Sequence, residues 1–135
     1  MATRILLADD HESARKMIRS IITASTDWQI IAEASDGAEA ALKAHENCPD
    51  VAILDFQMPR MNGIEAAKKI LEYCPAAVIV TESLHEAAML LDQLKKAGIR
   101  GFVQKSEIQS ELVPAVQTVL QGGEWFPKTR PAAAR

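Results

Sequence analysis

The chain lacks an excess of positive charge, a long apolar run and a cysteine framework, and each lack removes a class of function. Its 135 residues carry 15 Lys and Arg against 18 Asp and Glu, a net charge of −3, so there is no basic footprint for a nucleic acid. No apolar run approaches the ~20 residues of a membrane span. The first one, Arg4 to Ala8, meets Asp9 and Asp10 too soon to be the core of a signal peptide, which argues for a cytoplasmic protein without a membrane partner. Cys48 and Cys74 each precede a proline, are too few for a disulfide scaffold and do not have metal-site spacing, so free thiols are expected. His11, His45 and His85 show no ligand spacing either, and His11 beside the acid pair reads as a solvated side chain. What remains is 48% hydrophobic and 24% charged, the composition of one globular domain with one core.

Short apolar runs recur at Ile5–Ala8, Ile30–Ala34, Val51–Leu54, Ala77–Val80 and Gly101–Val103, at intervals of about 25 residues and without repetition of sequence. Helical spacing fills the gaps. Met17, Ile18, Ile21 and Ile22 mark a first helix, and Asp36 with Glu39 and Asn62 with Glu65 have the pattern of capping boxes before the second and third. Leu90, Leu91, Leu94 and Ala97 mark a fourth that Gly98 should stop. Leu112, Val113, Val116, Val119 and Leu120 mark a fifth, in which Pro114 is tolerable only near the first turn. Five strands alternating with five helices imply an α/β fold with a parallel sheet, because each crossover must be right-handed and helix-sized.

Ligands of such sheets bind at the carboxyl ends of the strands. Asp9 and Asp10 after strand one, Asp55 after strand three, Thr81 or Ser83 after strand four and Lys105 after strand five all fall on that edge. Three carboxylates gathered there repel, and a hard divalent cation such as Mg²⁺ relieves them with oxygen ligands. Lys105 adds a mobile positive charge and strand four a hydroxyl. Together they suit a phosphoryl group carried on Asp55, which would be the nucleophile of an in-line transfer.

The stretches "LLADDH", "DVAILDFQMPRMNG", "AVIVTES" and "KKAGIRGFVQKS" resemble the receiver domains of two-component response regulators, from Arg4 to about Phe126. The similarity is closest to the branch that usually precedes a helix-turn-helix DNA-binding domain. It implies a flavodoxin-like doubly wound five-stranded sheet of order 2-1-3-4-5. It implies further that Asp55 is the phosphoacceptor, Asp10 a direct Mg²⁺ ligand, Asp9 a ligand through water and the Gln57 carbonyl a third protein ligand. Lys105 would pair with the phosphoryl group, and Phe102 would hold the aromatic switch position. Ser83 is taken as the hydroxyl because it lies 28 residues after Asp55 and 22 before Lys105, the family-like spacing, whereas Thr81 would need two extra residues in the crossover. Glu82 then stands where an apolar strand residue is usual, and Ser106 follows Lys105 in place of a proline.

The implied partners are a sensor histidine kinase or phosphotransfer protein and, on phosphorylation, a second copy of the chain. The implied activity is self-catalysed phosphoryl transfer and dephosphorylation, not that of an enzyme on a separate substrate. Residues 1–126 would form the receiver and 127–135 a tail or the start of a linker, with too little sequence after the last helix for DNA binding within the chain. A dehalogenase-type phosphatase would need an aspartate where Gln57 stands. An electron carrier of flavodoxin type would need a phosphate-cradling loop in place of "ADDHES". The remaining alternative is a pseudo-receiver that binds partners without phosphorylation, which leaves the acidic set without a use.

Overall fold

The structure, a computed structural model, describes residues 2–82 and 87–126. Strands β1 (Arg4–Ala8), β2 (Gln29–Ala34), β3 (Val51–Asp55), β4 (Ala77–Glu82) and β5 (Gly101–Gln104) form one parallel sheet in the order β2-β1-β3-β4-β5. Helices α1 (Glu12–Ser25), α2 (Gly37–Glu46), α3 (Gly63–Tyr73) and α4 (Ala87–Lys96) supply the four crossovers, and α5 (Ile108–Leu120) follows β5.

Alternation along the strands divides the core in two. Ile5, Leu7, Ile53, Ile79 and Val103 face one side, where Ile18 and Ile22 of α1 and Leu112, Val116 and Val119 of α5 cover them. Leu6, Leu54, Val80 and Phe102 face the other, against Ala40 and Ala44 of α2, Ala66 and Ile70 of α3 and Leu94 of α4. The small residues of α2 and α3 let those helices lie close to the sheet.

Helix ends follow the local chemistry of the sequence. Asn62 and Glu65 form the complete capping box, each side chain bonded to the other's N–H at 2.9 Å. Asp36 accepts from the Glu39 N–H at 2.7 Å, but the Glu39 carboxylate returns to the N–H of Ser35, one residue further back. Gly98, at φ 87°, ends α4 in the left-handed conformation that glycine adopts without steric cost.

Two expectations are corrected. Cys48 and Cys74 are not free: they form a disulfide, with Cα atoms 5.5 Å apart. Cys48 follows the end of α2 and Cys74 caps α3, so the packing of these neighbouring helices brings together two residues 26 apart in sequence. Pro114 is not in a first turn. A single 3₁₀ turn, Lys105–Glu107, precedes α5, and Pro114 stands seven residues into the helix with no N–H to offer the Ser110 carbonyl.

Candidate functional site

Every strand that ends at the carboxyl edge ends differently, and the site is the sum of those endings. β1 runs into Asp9, which is 1% exposed, and β3 closes on Asp55, which is 3% exposed. The Asp9 N–H donates to the Ala34 carbonyl at 3.1 Å, and the Arg15 guanidinium donates to the Asp9 carbonyl at 2.6 Å, so the β1–α1 turn is tied to β2 and α1. On β3 the Phe56 N–H donates to the Thr81 carbonyl and the Gly63 N–H to the Phe56 carbonyl, both at 2.8 Å. These two bonds turn the chain sharply after Asp55 and set the start of α3 beside it. A Cβ on Gly63 would lie 2.7 Å from the Asp55 carbonyl oxygen, so the close approach requires glycine.

Lys105 begins the turn after β5 and reaches across the sheet edge. Its ammonium lies 3.0 Å from Asp9 Oδ2 and 3.1 Å from Asp55 Oδ2. Burial works against that ammonium, but the hydrogen bond it donates to Asp9 and the charge of both carboxylates outweigh it and raise its pKa. Asp55 experiences the opposite balance. Its burial and the nearby Asp9 push its pKa up to about 6, against the pull of Lys105 and the Gln57 N–H. Asp9, Asp10, His11 and Asp55 each offer a ligand atom, all within 4.8 Å of one another. A buried carboxylate that favours its proton beside two further acids is a donor set that suits a hard divalent cation.

The sequence brought Asp9, Asp10, Asp55 and Lys105 to one edge, and the structure places them together. Gln57 lines the same cleft of about 570 Å³, together with Asp10, Asp55, Met58 and Lys105. Phe102 is 1% exposed and packs on the α2–α3–α4 side. Ser83 lies outside the described residues. Thr81 is buried and in register with Asp55. His11 is two-thirds exposed, yet its Nδ1 lies 3.2 Å from Asp9 Oδ1 and 3.1 Å from Asp10 Oδ1, so it borders the cluster more closely than expected of a solvated side chain. Glu82, at the last position of β4, is buried and lines the cleft, a further acid that sequence reasoning did not assign to the site.

The family described as response regulator receiver domain matches residues 5–117. The chemotaxis protein CheY of Thermotoga maritima is 37% identical over 88% of this chain and 98% of its own. The transcriptional regulatory protein YxjL of Bacillus subtilis is 35% identical over 91% of this chain and 56% of its own. The chain spans about half the length of the transcriptional regulators it matches first. Among solved structures, a two-component response regulator of the LuxR family from Aurantimonas sp. SI85-9A1 superposes with a TM-score of 0.85 at 32% identity, covering 93% of this chain and 89% of that one.

Proposed function

Because the chain belongs to the response regulator receiver domains, we propose that Asp55 accepts a phosphoryl group from a histidine kinase, a phosphotransfer protein or a small acyl phosphate. The observation that carries this reading is the Lys105 ammonium shared between two buried carboxylates, Asp9 and Asp55, at 3.0 and 3.1 Å. Asp55, when ionised, attacks the phosphorus of the donor; an oxygen–phosphorus bond forms as the donor's bond to phosphorus breaks, and the leaving group keeps that electron pair. Lys105 is placed to follow the charge from the Asp55 carboxylate to the new phosphoryl oxygens. Ser83, by its spacing from Asp55 and Lys105, is read as the residue that supplies the hydroxyl.

Asp10, Asp55 and the Gln57 carbonyl would hold Mg²⁺, with Asp9 through water. When bound, the ion neutralises charge on the transferring phosphoryl oxygens and lowers the cost of ionising Asp55. Residues 1–126 are read as the receiver unit, since α5 continues past the matched family region and residue 125 still pairs with β5. Among the described residues no helix is long and apolar enough to cross a membrane. Association of two copies on phosphorylation belongs to the same reading.

Incubation with acetyl phosphate and Mg²⁺ should raise the intact mass by one phosphoryl group, and Asp55→Asn should abolish the gain while keeping the fold by circular dichroism. Equal labelling of the variant would overturn the assignment.

A further inference from the structure

β5 is the last strand of the sheet, and its outer edge would leave N–H and C=O groups unpaired. The chain covers that edge itself. After α5, the left-handed Gly122 (φ 89°) reverses the direction of the backbone, and Gly123 N–H donates to the Thr118 carbonyl at 3.0 Å. The returning segment then runs parallel to β5: Gly101 and Trp125 form a bridge, Trp125 N–H donates to Arg100 C=O at 3.0 Å, and Phe102 N–H donates to Trp125 C=O at 2.8 Å. Its side chains alternate as in a strand. Trp125 packs on the α1–α5 core and its indole N–H donates to Glu111 of α5 at 3.3 Å, while Phe126 packs on the opposite core with the Lys95 ammonium of α4 5.2 Å from its ring centroid.

We infer that residues 124–126 are a strap on the free edge of β5 whose grip is coupled to the state of Asp55. The inference rests on Asp55 as phosphoacceptor. Lys105 directly follows β5 and is bonded to Asp55, so a charge that relocates Lys105 pulls on the end of β5. On its inner side β5 is held to β4 by a ladder from Gly101 to Gln104. On its outer side its backbone pairing is one bridge and two bonds, with the rest of the attachment left to the Trp125 and Phe126 side chains. The outer attachment is the weaker and yields first when β5 shifts. Phe102 belongs to both arrangements, with its side chain in the core and its N–H on the strap. The occupant of this edge is therefore the chain's own segment, and the phosphorylated state is the one that exposes the edge and frees the backbone leading to residue 127.

Amide exchange of the full chain, with and without Mg²⁺ and beryllofluoride, tests this, with ¹⁹F resonance of bound fluoride as an independent sign that Asp55 is loaded. The expected result is exchange at least about tenfold faster at the Phe102 and Trp125 amides, with no acceleration at Ile53. Unchanged protection at both amides with fluoride bound would overturn the strap and leave the acceptor assignment standing. No bound fluoride would overturn the acceptor assignment and the strap with it. Coupling is reciprocal, so Phe126→Ala, checked for fold by circular dichroism, should reach half-saturation at about fivefold less beryllofluoride. An unaltered half-saturation in folded Phe126→Ala would also overturn the coupling.

Discussion

At residue 55 opposing demands meet on one carboxylate. Burial and Asp9 favour its neutral form, whereas Lys105 and the Gln57 N–H favour the anion, and burial wins far enough to lift the pKa to about 6. In metal-free protein the folded state then keeps a proton that the unfolded chain has released between about pH 4 and 6. Stability therefore falls as pH rises through that window and levels off above it, by up to about 3 kcal/mol. Asp55→Asn should remove this slope and stabilise the apo protein at pH 7, as denaturant titrations across pH 4–8 in chelator will measure. These residues were legible in the sequence because each stands where a buried apolar run stops, and a charge at such a place needs a reason. Glu82 was not, since one acid at the end of an apolar run forms no pattern until the strand is known to continue through it and bury it.

Elements were legible where the backbone chemistry is local. Asn62 with Glu65 caps α3 as its spacing predicts, and the five apolar runs became five strands with one or two residues added at their ends. The start of α5 was not legible, because the Lys105–Glu107 turn reads in sequence like any polar loop, and whether a proline is terminal or internal depends on where the helix begins. Pro114 is internal. It forgoes one helical hydrogen bond and crowds the preceding turn, although Val116 and Val119 around it are buried and keep the helix on the sheet. Pro114→Ala should therefore stabilise the domain by about 1–3 kcal/mol. Chemical denaturation will show the gain as a higher midpoint with an unchanged slope.

For the molecule as a whole, the alternation of elements dictated the layered architecture, whereas the cysteine pair could not be read from it. A separation of 26 residues says nothing about distance until α2 and α3 are packed side by side. Once joined, Cys48 and Cys74 close a loop whose loss of unfolded-state freedom stabilises the fold by about 3–4 kcal/mol on the chain-entropy account. That loop contains β3, Asp55, the turn at Arg60 and all of α3. In terms of connectivity, the proposed phosphoacceptor sits on a covalent ring. The Arg60 side chain is 76% exposed, with its backbone in the left-handed region at φ 70°, and it offers trypsin a place to open that ring. A single cut there would leave the two halves joined through sulfur. The product should run as one band on a non-reducing gel and separate into two only after dithiothreitol, whereas Cys48→Ser cut at the same bond should separate without it.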